Sequence, residues 1–389
     1  MSANQILSKT PISILKESRL IVVKIGSLIV RGQELDTVNQ NWMDAFARDI
    51  KTLMDSGKKV VIVSSGGVAL GRKALGISED TPPQNIPLAK KQAASSVGQY
   101  HIFNGYYKAL AKCGLDAGQV LLTMGETENR RMSLNARDTL YTLLDHGVVP
   151  VINENDTVST GEIRFGDNDR LSVRVAQMIG ADSVILLSTT DGLYTDNPDT
   201  NPQAEHIPFI EKLGKKHIEM AGDAVPGLST GGMKSKIDAA RSATKTGIHL
   251  IITDGQKSHT LEKLCSDKSK RSSLFYAPRG NKIAARKMWI GAHMRPKGFV
   301  IIDDGALDAL HHGKSLLPIG VRKVEGDFKR GDVVEIRGSS GNRIGMGISA
   351  YNTHDAHLIC RRNSRDIASI LGEITSDELI HRNDMVLED

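Results

Sequence analysis

The residues best suited to chemistry are short polar side chains that follow an apolar run at positions 148–152. The polar block contains Asn153, Asn155 and Asp156, and it resumes at Asn168 and Asp169. Such side chains hold their polar atoms close to the backbone and can present them with little loss of rotamer freedom. A strand that ends in this way is typical of the ligand-binding edge of an open α/β sheet. Asn and Asp are also ordinary turn residues, so a solvated turn stays open as the alternative.

Two short loops indicate anion binding. Lys24 stands at the end of a strand-like run beside Gly26, whose bare amide can approach a phosphate. An ordinary strand-edge lysine is the alternative. The segment Ser65, Gly66 and Gly67 offers adjacent amides ahead of a helix, which is a natural anion site. A tight strand-to-helix turn would explain the same glycines.

A third loop, TGGMKSK, runs from Thr230 to Lys236. Met233 stands where the Walker A pattern GxxxxGK[ST] requires glycine, so that pattern is not met, and the sequence contains no GxGxxG fingerprint. A glycine loop that carries Lys234 and Lys236 is still suited to hold an anion. Phosphoryl transfer needs positive charge, positioning and a metal ion but little covalent chemistry from the protein. Two separated lysines and an Asp/Asn cluster match those needs.

Composition narrows the classes of protein. A chain of 389 residues, 40% hydrophobic and 24% charged, is long enough for two or three globular domains. Aromatic residues at 4% argue against the stacking platforms of single-strand nucleic-acid binders. The net charge of +5 suits anionic small molecules and leaves a mild affinity for nucleic acid open.

The cysteines and the hydropathy pattern predict the compartment. Cys113, Cys265 and Cys360 are far apart and form no CxxC pair, so we expect a reduced, cytoplasmic protein. The opening residues lack a signal-like apolar stretch, and no run approaches the ~18 apolar residues of a membrane span. The 12 histidines show no metal spacing, and we expect no metal site made by the protein itself.

Apolar runs alternate with helical periodicity over most of the chain. The pattern predicts strands at 20–26, 59–64, 148–152, 183–187 and 249–252, and helices from Asp36 or Thr37 to before Gly57, at 87–112, 134–145, 171–179 and 235–246. This alternation favours an open, mainly parallel sheet with helices on both faces. After residue 299, short strands broken by glycine turns favour a small β-barrel. The predicted boundaries are an N-terminal extension at 1–19, an α/β domain at 20–276, a basic connector at 277–296, a barrel at 297–376 and a tail at 377–389.

Several segments in this order, from about residue 21 to residue 382, resemble the glutamate 5-kinases of the amino-acid kinase family, which carry a C-terminal PUA domain. The segments are VVKIGS, IVSSGGVALGR, LNARDTL, PVINENDTV, FGDND, DGLYTDNP, STGGMKSK, GKSLLPIGV and RGD. The resemblance implies the amino-acid kinase fold followed by a PUA barrel. It also implies that ATP phosphorylates L-glutamate, with Mg²⁺, to γ-glutamyl phosphate in proline synthesis. Inhibition by proline and a homo-oligomer, dimer or tetramer, are further implications.

Site residues follow from the resemblance by motif. The expected catalytic residues are Lys24 and Lys236, which would neutralise the migrating phosphoryl group, and Asp169, which would hold both lysines. The amides of Gly26, Gly66 and Gly67 would donate hydrogen bonds to phosphate. Glutamate would be bound by Ser65, Asp156 and Asn168. ATP would contact Lys24, Ser188 and Thr189, and Thr230, Gly231, Gly232, Met233, Lys234, Ser235 and Lys236. Residues 157–164 become a candidate flap, and Glu154 takes a structural role.

Three positions depart from the family pattern. Thr189 replaces the acid of a Ser/Thr-Asp pair after the fourth strand, so the contact that this acid makes on the nucleotide side is not expected here. Leu28 replaces a small hydroxyl residue, and Gly67 replaces an alanine. Neither of the last two changes a charge that the chemistry requires.

Two alternative functions stay open. A sister kinase would act on aspartate, N-acetylglutamate, carbamate or UMP, although the NEND and GDND segments and the appended barrel favour glutamate. An RNA-binding protein would use the PUA barrel and the basic connector, whose residues 279–297 are rich in Arg and Lys.

Overall fold

A computed structural model describes residues 9–34, 36–78, 80–159, 167–220, 232–278, 296–372 and 376–388. The chain divides into two compact units, Met1–Asn281 and Lys282–Asp389.

The first unit contains an eight-stranded sheet and a separate two-stranded hairpin. The strands are β1 (Leu20–Ile25), β2 (Lys59–Val63), β3 (Ala117–Leu122), β4 (Val149–Glu154), β5 (Ser183–Ser188), β6 (Leu193–Tyr194), β7 (His206–Ile207), β8 (Phe209–Ile210), β9 (His249–Asp254) and β10 (Ser273–Phe275), of which β6 and β7 form the hairpin. The order in the sheet is β3-β4-β2-β1-β5-β9-β10-β8. Every pair is parallel except β9 with β10. The fold class expected from the sequence is therefore confirmed.

Helices connect these strands. They are α1 (Pro11–Glu17), α2 (Ser27–Val30), α3 (Gln40–Asp55), α4 (Gly67–Leu70), α5 (Leu88–Ala111), α6 (Met124–Glu128), α7 (Arg130–Asp145), α8 (Asp167–Ile179), α9 (Lys215–Met220), α10 (Met233–Lys245) and α11 (Thr260–Ser266). The first predicted helix begins later than expected, because Asn39 caps α3 by accepting from the amide of Trp42. The helix predicted at 171–179 begins earlier, at Asp167, because its first turn is polar and gives no hydrophobic periodicity.

The alternation of side chains along β1 divides the core into two layers. Ile21, Val23 and Ile25 pack into one layer with α3 and α5. Val22 packs into the other layer with α8 and α10. Because successive residues of a strand point to opposite faces, Lys24 must share the face of Val22 and approach α8 and α10.

Helices α4 and α5 pack backbone against backbone. A Cβ atom at Gly98 would lie 1.9 Å from the carbonyl oxygen of Gly67, and one at Gly71 would lie 1.8 Å from that of Ala94. No side chain fits in either place. This contact fixes the Ser65-Gly66-Gly67 loop against α5.

The N-terminal segment packs onto this core. Thr10 caps α1 in a capping box with Ser13, and Ile14 and Leu15 are buried. The extension predicted at 1–19 is thus part helix and part core where it is described.

The second unit contains a five-stranded sheet. Its elements are β11 (Gly298–Ile302), α12 (Asp304–His311), β12 (Val321–Gly326), β13 (Val333–Arg337), β14 (Arg343–Ile348), α13 (Thr353–Ile359), α14 (Ile367–Leu371) and β15 (Met385–Leu387), and the order in the sheet is β12-β11-β13-β14-β15. The segment predicted as a tail, 377–389, contributes strand β15, and it contributes Leu379 and Ile380 to the core. The strand-rich second domain expected from the sequence is confirmed.

All three cysteines are free and half-buried. Among the described helices, none is both long enough and apolar enough to cross a lipid bilayer.

We expect Gly98→Ala to lower the free energy of unfolding by about 2 kcal/mol, because the added methyl group must push α4 away from α5. Gly105→Ala is the matched control in the same helix, where the new Cβ would meet the Met43 and Val38 side chains instead of backbone. Met43 is flexible and can move aside. Chemical denaturation measures both, and equal stabilities for the two variants would contradict the backbone contact.

Candidate active site

Three buried charges meet at the carboxyl end of β1. Lys24 Nζ lies 2.6 Å from Asp169 Oδ1, and Lys236 Nζ lies 3.1 Å from Asp169 Oδ2. Exposed fractions are 6% for Lys24, 0% for Asp169 and 8% for Lys236. Asp169 lies in the first turn of α8, where the helix dipole favours a negative charge. We call these three residues the charge triad.

The triad shifts proton affinities. Burial would raise the pKa of Asp169, but the positive charges and hydrogen bonds of Lys24 and Lys236 hold it below its usual value. Burial lowers the pKa of Lys24, and repulsion from Lys236 lowers it further against the attraction of Asp169. The triad therefore holds an excess of positive charge that a bound anion would stabilise.

A network of amide side chains lies beside the triad. Asn168 Nδ2 donates to Ser64 O at 2.9 Å, to Ser65 Oγ at 2.9 Å and to Asn153 Oδ1 at 3.1 Å. Asn153 Nδ2 donates in turn to Gln99 Oε1 at 3.0 Å. The carboxyl ends of β2 and β4 and the start of α8 are thereby tied together.

One atom of this network is left for a ligand. The Oδ1 of Asn168 is buried, and no group in the described part of the chain donates to it. An unpaired buried carbonyl is costly. The atom is therefore suited to accept a hydrogen bond from a bound ammonium or hydroxyl group.

Helix α5 supports the end of β4 and the loop that follows it. Gln99 Nε2 donates to Glu154 O at 3.1 Å, and Ser95 Oγ donates to Asp156 Oδ2 in a short hydrogen bond. Ser95 is completely buried, and Gln99 and Asp156 are 8% and 9% exposed. Asp156 thus lies beside α5 instead of projecting into solvent.

The predicted glycine amides differ in their surroundings. Gly66 has a φ of +110°, which few other residues adopt, and it forms the turn into α4. The Gly26 amide donates to Leu187 O at 3.2 Å, so it is already engaged within the sheet. The phosphate contact predicted for Gly26 therefore needs a rearrangement, whereas Gly66 and Gly67 head a short helix beside the triad's strand.

Most of the predicted nucleotide-binding residues lie at the end of β5 and at the start of α10. Ser188 is buried at the end of β5, and Thr189 after it is exposed. Ser235 Oγ lies 3.4 Å from Asp169 Oδ2, which places the start of α10 against the triad. Gly232 and Met233 are half-buried and Lys234 is exposed. Thr230, Gly231 and residues 160–166, which include part of the candidate flap, lie outside the described residues.

Asn153, Gln99 and Ser95 belong to the site although the sequence motifs assign them no role. Asn153 stands in the polar block, among neighbours that the resemblance does assign. Gln92, Ser95 and Gln99 recur at spacings of three and four, which places them on one face of a helix. That spacing is the signal in the sequence that could identify them.

The sequence matches two family descriptions. Residues 19–254 match the amino acid kinase family, and residues 298–371 match the PUA domain. The parallel sheet and the two buried lysines at the carboxyl ends of its strands agree with the match to the amino acid kinase family. The chain therefore belongs to the amino acid kinase family.

Two glutamate 5-kinases match the chain along nearly its whole length. It is 44% identical over 373 residues to a glutamate 5-kinase of Ruegeria sp. (strain TM1040), covering 96% of this chain and 99% of that one. It is 46% identical over 373 residues to a glutamate 5-kinase of Rhodopseudomonas palustris (strain BisA53), covering 96% and 97%. The resemblance expected from the motifs is confirmed. Among solved structures, a UMP kinase from Bacillus anthracis is 14% identical with a TM-score of 0.47, covering 66% of this chain and 98% of that one.

We expect Asp169→Asn to lower the free energy of unfolding by roughly 3–5 kcal/mol at neutral pH, because two buried ammoniums lose their counter-charge. The folded pKa of Asp169 is depressed, so its stabilising contribution is complete above the unfolded pKa of about 3.9. It is lost as the pH falls through the lower folded value.

The stability difference between the wild type and Asp169→Asn should therefore shrink below about pH 4. Asp238→Asn, an exposed position in α10, is the control and should change stability by less than about 0.5 kcal/mol. Denaturation curves across pH measure both. A difference between wild type and Asp169→Asn that is small at pH 7 would contradict the triad.

Proposed function

We propose that this chain transfers the γ-phosphoryl group of ATP to the γ-carboxylate of L-glutamate, giving γ-glutamyl phosphate and ADP, the first step of proline biosynthesis. Relatives that match 96% of the chain at 44–46% identity are glutamate 5-kinases. The observation that carries the proposal is the buried charge triad with the Asn168 network at its side.

The chemistry needs electrostatics more than acid–base catalysis. A side-chain carboxylate with a pKa of about 4.3 is already ionised at neutral pH, so no general base is required. The obstacle is repulsion between this carboxylate and the phosphates of ATP. Lys24 and Lys236 place two buried positive charges against that repulsion.

Asp169 would act on the lysines and not on the substrate. Both of its oxygens lie against ammonium groups, so it fixes where each positive charge sits before the phosphates arrive. Preorganised charges do not have to reorient during the reaction, which is why they stabilise a transition state better than mobile charges.

Glutamate would bind at the Asn168 network. The buried Oδ1 of Asn168 supplies an acceptor. Asp156, which follows β4 at the same carboxyl edge of the sheet, supplies a carboxylate. Both groups suit the α-ammonium of an amino acid. Ser65, which accepts from Asn168, would complete the contact from the β2 side.

ATP would lie against Ser188, Thr189 and the residues at the start of α10, with the amides of Gly66 and Gly67 near its phosphates. The oxygens of Asp169 are occupied by lysines, so this carboxylate is not arranged to ligate a cation. We expect Mg²⁺ to arrive with ATP, held by phosphate oxygens, as is usual at nucleotide sites. There it would neutralise part of the phosphate charge.

Other expectations rest on the family relationship or on sequence. Inhibition by proline and assembly into a dimer or tetramer rest on the family relationship. A cytoplasmic location rests on the separated cysteines, and RNA binding rests on the PUA domain and the basic connector in the sequence.

A hydroxylamine-trapping assay tests the proposed activity, because hydroxylamine converts an acyl phosphate to a stable hydroxamate. With L-glutamate as the acceptor, we expect hydroxamate formation that depends on ATP and Mg²⁺. With L-aspartate, N-acetyl-L-glutamate, carbamate or UMP as the acceptor, we expect the rate of ADP release to stay at background level. ADP release with one of these acceptors but not with glutamate would contradict the proposal and indicate a sister kinase.

Lys236→Met should lower kcat by about 100-fold or more, because the transition state loses one of its two buried positive charges. The variant should fold, since Asp169 keeps Lys24 as its partner. Lys245→Met, an exposed lysine at the other end of α10, is the control and should keep wild-type turnover. Steady-state kinetics and thermal unfolding measure both. A kcat within a few-fold of wild type for Lys236→Met would remove this lysine from the catalytic set.

A further inference from the structure

Ser95 is a buried hydroxyl that the chemistry described above does not use. Its Oγ donates to Asp156 Oδ2, the carboxylate proposed to meet the substrate ammonium. Ser95 is 0% exposed, in the middle of α5. A buried serine inside a helix usually donates to a carbonyl of its own preceding turn, whereas this one reaches across to another element.

The Ser95 hydroxyl occupies space that Gly67 leaves. A Cβ atom at Gly67 would lie 2.5 Å from Ser95 Oγ and 3.3 Å from Gln99 Nε2. Gly67 is the first residue of α4, and its φ is not among the positive values in the chain. Its backbone therefore does not require glycine. Glycine is required at position 67 because the hydroxyl of Ser95 fills the space that a side chain there would need.

The same face of α5 contacts the last residue of β4 and the loop after it, at three points in all. Gln92 Nε2 donates to Ser159 O at 3.2 Å, Ser95 to Asp156, and Gln99 Nε2 to Glu154 O at 3.1 Å. The three side chains lie at helical spacing, and their acceptors span residues 154–159. The contacts of Gln92 and Gln99 are to backbone carbonyls. Of these three contacts, that of Ser95 alone is to a side chain.

We propose that Ser95, seated in the space beside Gly67, is a positioning residue that fixes the Asp156 carboxylate for the α-ammonium of the amino-acid substrate. The inference rests on the proposed glutamate kinase activity and extends it to substrate recognition. Ser95 acts through Asp156 and touches neither ATP nor the transferred phosphoryl group. Its loss should weaken binding of the amino acid and leave the chemical step intact.

The test is a cycle of four enzymes: wild type, Ser95→Ala, Gly67→Ala and the double variant. Ser95→Ala should raise the KM for glutamate about tenfold, as expected for loss of a hydrogen bond to a charged group. The kcat and the KM for ATP should stay within about twofold of wild type. Gly67→Ala should raise the same KM by a similar factor, because its methyl group displaces the serine hydroxyl.

The double variant distinguishes coupled from independent effects. Once the hydroxyl is absent, the closest remaining neighbour of the methyl group added at position 67 is Gln99 Nε2 at 3.3 Å, at the end of a flexible side chain that needs only a small shift. The KM for glutamate should therefore be close to that of Ser95→Ala alone. Independent sites would multiply their effects to about 100-fold. Ser96→Ala, the next position in α5 and exposed, is the matched control and should behave as wild type.

Three results would overturn the inference. They are a multiplicative double variant, an unchanged KM for glutamate in Ser95→Ala, and losses of kcat and of ATP affinity in Ser95→Ala as large as the loss of glutamate affinity. Thermal unfolding of the same four enzymes provides a readout that does not depend on activity. If the wild type forms no hydroxamate with glutamate, the proposed activity itself fails. The unfolding cycle would still report whether Gly67 and Ser95 are in contact.

Discussion

The ammonium groups of Lys24 and Lys236 and the carboxylate of Asp169 share a buried space at the carboxyl ends of the strands. Together these three groups carry a net positive charge. Removing charged groups from water is expensive, and a buried ion pair seldom repays that cost in stability. A net positive charge, unlike a neutral pair, favours the binding of an anion, and in the proposed reaction that anion is a phosphate of ATP. The rest of the first unit provides the strand and the two helices that keep these charges together.

The position of the triad follows from elementary geometry. Val22 and Lys24 point to the same face of β1, and that face is covered by α8 and α10, whose first turns carry Asp169 and Lys236. A lysine one residue earlier or later would have entered the layer formed by α3 and α5. The strand thus selects which helices can supply the partners of Lys24, before any side chain adjusts its rotamer.

How much of this is predictable from sequence differs between the two parts of the site. The parallel sheet, its strands and the pairing of Lys24 and Lys236 with Asp169 can be predicted, since long apolar runs and ordered motifs are strong signals. The support from α5 is harder to predict, and its one signal in the sequence is the three- and four-residue spacing of Gln92, Ser95 and Gln99. Its buried positions include Ala94, Ser95, Gly98 and Gln99, small or polar residues that hydrophobic periodicity does not mark as buried. Backbone contact demands small residues, and hydrogen bonding demands polar ones.

The contact between Gly98 and Gly67 has a further consequence. Helix α5 carries the residue that abuts the phosphate-side loop and also the residues that hold Asp156 and Glu154. One helix therefore contacts both the carboxylate proposed to bind the ammonium and the loop proposed to lie near the transferred group. If the helix keeps the proposed sites at a fixed separation, it selects substrates by length. An amino acid one methylene shorter would then present its distal carboxylate about 1 Å too far from the phosphate, enough to cost about a hundredfold in rate.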